Sequence, residues 1–206
     1  GVDVDIRRPD ASLEGYKLVV APSLPILDPG LLRRLGTTPC VFGPRTGSRT
    51  PSHQVPANLP PGALQQELAI KVERVESLPP LLEDQVVWGN RSYPVRRWRE
   101  AVESDLDPEA HFGDGGGAIY RQDARHYLAF WPDPGFLNDY LELLLADAGV
   151  GTTLLPETMR LRHRGALSFA FNYGSTAAQA PAPEGAEFLL GQREIPPHDL
   201  AVWRLV

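Results

Sequence analysis

One cysteine, five histidines and a pair of arginines in a glycine-bearing loop are the residues of this chain best suited to chemistry. The cysteine and the two arginines lie in one stretch, Cys40-Val41-Phe42-Gly43-Pro44-Arg45-Thr46-Gly47-Ser48-Arg49-Thr50. A cysteine becomes a strong nucleophile when a turn at a strand tip, a helix N-terminus or a nearby imidazole lowers its pKa. His53, His111, His126, His163 and His198 are the available bases. Cys40, however, precedes Val41 and Phe42, so it belongs inside an apolar run rather than at its tip. A buried, inert thiol is the expected state. Ser48 has no G-x-S-x-G elbow around it, which removes a serine hydrolase reading.

Arg45 and Arg49 suit two tasks. Together with backbone N–H groups of the turn they can hold an anion. They can also pair with carboxylates across a domain or subunit interface, which the planar guanidinium fork favours. The interface is the expected role.

Carboxylate chemistry has little support. A retaining glycosidase needs two carboxyl groups about 5–5.5 Å apart on a rigid support. Glu73 with Glu76 and Glu100 with Glu103 are the close pairs, and both lie in polar stretches expected on the solvated surface. No His/Cys/Asp cluster has metal-ligand spacing, so neither metal nor cofactor is expected. The run Gly113–Gly117 is read as a hairpin turn rather than a phosphate cradle, because no helical pattern follows it. His126 is read as a hydrogen-bonded structural residue. Phe169, Phe171 and Tyr173, at i, i+2 and i+4 on one strand face, suit a small core; with Trp203 they are also the candidates for a sugar-stacking platform.

The elements that must position these residues follow from periodicity. Val2, Val4 and Ile6 alternate with charged residues and predict a strand. Tyr16 to Ala21 reads as a strand buried on both faces, and Pro39 to Phe42 as the next. Between them Asp28-Pro29 is an N-cap and first-turn pair for a helix through Leu35, ended by Gly36. A proline-rich loop spans Thr50 to Pro61, and Gly62 to Ile70 suits a short helix. Irregular strands follow to Tyr120, with Arg125 to Trp131 as another buried strand. Asp133-Pro134 opens the clearest helix, with Phe136, Leu137, Tyr140, Leu141, Leu144, Leu145 and Ala148 at helical spacing before Gly149. After Pro156 come four short strands, 159–163, 166–173, 187–190 and 199–205, which predict a small antiparallel module.

The chain has 206 residues and a net charge of −6, which argues against a nucleic-acid partner. Gly and Pro number 19 and 21, well above their usual combined share of roughly 12%. No apolar run reaches the roughly 18–20 residues of a membrane span. A single cysteine suits a reducing compartment, and a cytoplasmic location is expected. The chain starts Gly1-Val2-Asp3 rather than with Met, and a piece of something larger is expected.

Three runs carry a resemblance: Gly1 to Asp5; Leu13-Glu14-Gly15-Tyr16-Lys17-Leu18-Val19-Val20-Ala21-Pro22; and Phe42 to Thr50. With Gly62 to Leu64, His126 to Asp133 and Asp199 to Arg204, the chain resembles the non-catalytic part of glycoside hydrolase family 42 β-galactosidases over nearly its whole length. The resemblance implies an α/β architecture for residues 1–153: a flavodoxin-like, class I glutamine-amidotransferase-like trimerisation domain. Its sheet would be mostly parallel and lack its first strand. Residues 154–206 would form the small C-terminal β domain. It also implies a trimeric parent that hydrolyses terminal β-D-galactosides with retention, using glutamates on a barrel absent from these residues. The alternatives are a glutamine-amidotransferase-like enzyme using Cys40 and a carbohydrate-binding module.

Overall fold

The structure is a computed structural model describing residues 1–204. Arg7–Gly149 make one compact unit, and Gly1–Ile6 with the residues from Val150 onward make a second.

The larger unit contains, in chain order, β1 (Val19–Ala21), α1 (Pro29–Leu35), β2 (Cys40–Phe42), a 3-10 turn (Gly62–Gln66), β3 (Ile70–Ser77), β4 (Asp84–Trp88), β5 (Arg91–Val95), β6 (Trp98–Ser104), β7 (Ala110–Phe112), β8 (Gly117–Gln122), β9 (Arg125–Leu128) and α2 (Pro134–Asp147). Seven strands form one sheet in the order β1-β2-β9-β8-β7-β4-β5, and β3 pairs with β6 in a separate ribbon. The β1/β2 and β2/β9 pairs are parallel, and the four remaining pairs are antiparallel. The expectation of a mostly parallel sheet is therefore corrected to a mixed one. Only α1 provides a crossover between neighbouring parallel strands; from β4 onward short turns return the chain antiparallel.

Both helices start by the same device. Asp28 accepts the Gly30 N–H at 2.9 Å and Asp133 accepts that of Gly135 at 2.8 Å, each with proline at the first helical position. α2 buries Phe136, Tyr140 and Leu144, one residue per turn. Phe136 meets Trp88, Tyr93 and Phe130 edge-on, with centroids 5.8, 5.3 and 5.0 Å away. This aromatic layer covers one face of the sheet, the face to which His126 also turns.

The strand β1 is shorter than the run that suggested it and is an edge strand, not one buried on both faces: Val20 is 43% exposed. The opposite edge, β5, carries Pro94, which cannot donate to a further strand.

The smaller unit holds β10 (Met159–Arg164), β11 (Leu167–Asn172), β12 (Ala178–Gln179), β13 (Glu187–Leu190), β14 (Glu194–Ile195) and β15 (Asp199–Arg204). Its antiparallel sheet runs β10-β11-β15-β13, beside a β12/β14 ribbon. The antiparallel module is thus present, with position 205 of its last predicted strand outside the described residues. No strand forms in residues 1–8. Instead Asp3 accepts the backbone N–H of His163 at 3.2 Å, and its other oxygen meets the His163 ring at 2.9 Å.

The expected core face of β11 is reversed. Ala170 and Asn172 point inward, onto a core of Met159, Leu161, Ala201 and a fully buried Trp203. Phe169, Phe171 and Tyr173 take the outer face; the last two rings stack with centroids 6.3 Å apart, and Tyr173 is 64% exposed. With period-2 alternation either set can face in. The buried Asn172 amide, facing the carbonyls of Thr176 and Pro196 at 2.8 and 3.0 Å, fixes which one does.

Candidate functional site

The loop after β2 is held from three sides. Segment 22–26 runs alongside it: Gly47 N–H donates to Leu24 O and Arg49 N–H to Pro25 O, each at 2.9 Å. The backbones approach so closely at Gly43 that a Cβ would lie 1.7 Å from the Pro22 carbonyl oxygen. At Gly47, where φ is +62°, a Cβ would lie 2.0 Å from the Pro61 carbonyl oxygen. Only glycine fits either place. Thr46, fully buried, closes the turn by donating its hydroxyl to Gly43 O at 2.8 Å.

The third tether is Glu100 on β6. It is 2% exposed and accepts three hydrogen bonds: Arg45 N–H at 2.9 Å, Trp98 Nε1–H at 3.0 Å and Tyr127 O–H at 2.6 Å. Burial, followed by the Glu100 carboxylate, holds the Tyr127 phenol well above its ordinary pKa, so it remains a donor. The expectation that Glu100 lies on the solvated surface is corrected here. Its expected companion Glu103 lies elsewhere on the surface and pairs with Lys71, as does Glu73 at 3.3 Å, while Glu76 pairs with Arg74 and Arg99. The close carboxylate pairs therefore form no catalytic dyad. Sequence carried one signal for Glu100, the i, i+2 spacing that puts it on the same strand face as Trp98.

Arg45 occupies the left-handed region, φ +68°, and its exposed guanidinium lies over the Trp98 ring, 5.3 Å from the centroid. The Arg49 guanidinium donates to the neighbouring Ser48 carbonyl at 3.4 Å. Among the described residues neither guanidinium forms an ion pair.

Cys40 is fully buried within β2, and burial pushes its thiol up to about 12. No base attends it. Cys40 pairs in register with Arg125 and Val41 with His126, so the imidazole turns to the other face. There His126 Nδ1 meets Tyr140 Oη at 2.8 Å, and burial, with Arg121 adding to it, lowers the ring pKa to about 4. His163 pairs with Asp3, and His53, His111 and His198 are exposed. The buried Arg125 beside Cys40 is committed to Glu67 at 2.5 Å and to the Thr38 and Gly36 carbonyls at 2.9 and 2.6 Å. A thiol with neither base nor free cation beside it stays protonated near neutral pH.

Two shallow clefts, of about 250 and 290 Å³, lie against Lys71–Glu103 and against Trp88–Asp139, and neither contains Cys40 or Arg45. The Gly113–Gly117 run is the β7–β8 turn, as expected, with Phe112 N–H donating to Gly116 O. Among the described residues no group of His, Cys, Asp and Glu has metal-binding geometry, and no helix is long and apolar enough to cross a membrane.

Sequence comparison identifies the family to which this loop and its parallel strands belong. Residues 1–151 match the family model of the β-galactosidase trimerisation domain, and residues 158–205 that of the β-galactosidase C-terminal domain. The chain belongs to the glycoside hydrolase family 42 β-galactosidases, of which it carries these two regions. It is 50% identical over 205 residues to a β-galactosidase of Thermus thermophilus, covering 98% of this chain and 32% of the relative. The crystal structure of β-galactosidase from the psychrophilic Marinomonas ef1 aligns at a TM-score of 0.89 and 32% identity, over 96% of this chain and 30% of that one. A β-galactosidase from the Antarctic haloarchaeon Halorubrum lacusprofundi aligns at 0.85 and 27%, over 95% and 32%. The chain thus spans about a third of the length of these relatives. The matches do not favour a glutamine-amidotransferase-like enzyme or a free-standing carbohydrate-binding module.

Proposed function

We propose that this chain holds copies of a β-galactosidase together and performs no glycosidic or glutaminase chemistry of its own. The observation that carries the reading is the closed loop after β2: the thiol is buried without a base, and the carboxylate beneath the loop has all its neighbours as donors. The parent enzyme, on this reading, is a trimer that hydrolyses terminal β-D-galactosides with retention, through glutamates on a barrel in the same parent chain. The length of the relatives supports that division of labour.

Residues 1–153 take the assembly role and 154–206 form the C-terminal module. The three adjacent parallel strands, with α1 crossing between the first two and α2 following the third, support a partial flavodoxin-like, glutamine-amidotransferase-like core extended by antiparallel strands. The lone buried thiol fits a cytoplasmic setting. Arg45 and Arg49 are interface residues.

The test is hydrolysis of a chromogenic β-galactoside by the purified 206-residue chain. No turnover above buffer is expected. Turnover that persists through repurification overturns the reading.

A further inference from the structure

We propose that Asp114 is a latent modification site, where the Gly115 nitrogen closes on the Asp114 side chain to form isoaspartate, and that Arg99 bars this reaction in the folded chain.

Asp114-Gly115 is the one Asp-Gly step in the sequence, and Asn-Gly does not occur. Glycine matters at the second position because no Cβ shields the nitrogen that must attack. The reaction loses one water and regains it. A bond forms between the Gly115 nitrogen and Asp114 Cγ, the amide proton leaves, and the carboxyl hydroxyl departs with it as water. The product is a succinimide ring. Water then reopens the ring. Cleavage between the nitrogen and the Asp114 backbone carbonyl leaves the main chain running through Cβ and Cγ, which is isoaspartate. Nothing is oxidised or reduced.

The turn between β7 and β8 exposes the reacting groups but ties each one down. The Asp114 side chain is 54% exposed, and a Cβ on Gly115, where φ is +89°, would meet nothing within 4 Å. Gly115 N–H, however, donates to Phe112 O at 2.9 Å, Gly116 N–H to Asp114 Oδ1 at 3.0 Å and Arg99 Nη2 to Asp114 Oδ2 at 2.6 Å. The nucleophile and both oxygens of its target are therefore engaged. Hydroxyl departure also needs the neutral acid. Arg99, followed by the Gly116 N–H, holds the Asp114 carboxyl below its ordinary pKa and keeps it ionised.

Arg99 is itself fixed by Glu76, by Asp84 and by the Phe112 ring, so it stays in place on the turn. Local opening of the β7–β8 hairpin releases all these restraints together. Isoaspartate adds an atom to the backbone of the turn and draws the carboxylate back toward the main chain. The turn then no longer recloses on Arg99, and a transient opening becomes a permanent loss.

The test is incubation of the full 206-residue chain near neutral pH, folded and in urea, followed by tryptic digestion. Isoaspartate is read from the peptide carrying Asp114, as a chromatographically separate isomer of unchanged mass. Asp114→Glu, whose longer side chain closes that ring poorly, is the blank. The folded wild type is expected to isomerise about tenfold or more slowly than the chain in urea. Arg99→Gln, with circular dichroism verifying its fold, should gain about tenfold or more over the folded wild type through loss of a charge-assisted hydrogen bond. Arg99→Lys keeps the charge without the planar fork, should fall between the two, and decides the matter where Arg99→Gln does not fold. A folded wild type as fast as the chain in urea, or folded Arg99 variants as slow as the wild type, overturns the guarding role. A chain in urea that forms no isoaspartate at position 114 overturns the site itself.

Discussion

Arg45 gives its backbone N–H to Glu100 Oε1 at 2.9 Å while its guanidinium turns away to lie over Trp98. One residue is thus anchored through its main chain by a carboxylate its own side chain does not touch. The charge of Glu100 is held by three neutral donors rather than by a cation, an arrangement that costs desolvation and is stable only while every donor is in place.

Removing the acceptor should therefore be expensive. Glu100→Ala strands the Arg45 amide, the Trp98 indole N–H and the Tyr127 hydroxyl, and loses about 3 kcal/mol or more. Glu100→Gln, which replaces one acceptor oxygen by a donor, loses about 1–3 kcal/mol. Urea unfolding measures both, and hydrogen exchange at the Arg45 amide should rise in either variant. Unchanged exchange there contradicts the tether.

Cys40 should resist modification. A thiol pKa of about 12 against the ordinary 9.0 leaves roughly a thousandfold less thiolate at pH 8, and burial removes access to it as well. Iodoacetamide labelling of the native chain should be slower than labelling of a free thiol by at least that factor, and should reach the ordinary rate in denaturant.

Acid sensitivity should reside partly in His126. Its folded pKa of about 4 lies below its ordinary 6.5, so the unfolded chain binds the proton first. Stability falls as pH drops through 6.5 and levels below about 4, by roughly 3 kcal/mol in total. His126→Gln, which keeps a hydrogen-bonding group near Tyr140 but does not titrate, should flatten that part of the stability curve. A parallel curve for wild type and variant contradicts this assignment.

Arg99 joins segments far apart in the chain. It reaches Glu76 at 2.8 Å, Asp114 at 2.6 Å and Asp84, and its guanidinium lies over Phe112 at 5.0 Å. Burial acts against its charge, but the three carboxylates outweigh it and raise its pKa. Arg99→Ala leaves three acids facing one another and should cost about 2–4 kcal/mol, with part of the loss recovered at high salt or low pH. Thermal unfolding across salt concentrations checks it.

Much of this was legible in sequence where the signal is local. Asp133-Pro134 followed by Phe136, Tyr140 and Leu144 specifies α2, because cap, first turn and buried stripe all lie within a few turns of chain. The placing of Cys40 inside a strand followed from Val41 and Phe42 alone. Strand direction was only half legible: β8 returns antiparallel to β9 through the local two-residue turn Asp123-Ala124, whereas the parallel β2/β9 pairing joins strands far apart in the chain. Glu100 was misread for a related reason. Arg99 and Glu103 close by in the chain are charged, whereas what buries it includes Tyr127, 27 residues away. In β11 the alternation was visible but its phase was not, since aromatic residues bury more area than Ala170 and naturally suggest the inner face.

The most direct measurement of the assembly reading is native mass spectrometry of the 206-residue chain near neutral pH. The expected result is a species of three copies as the dominant mass at high concentration, falling to one copy on dilution. A single copy at every concentration would contradict the claim that these residues hold the enzyme together.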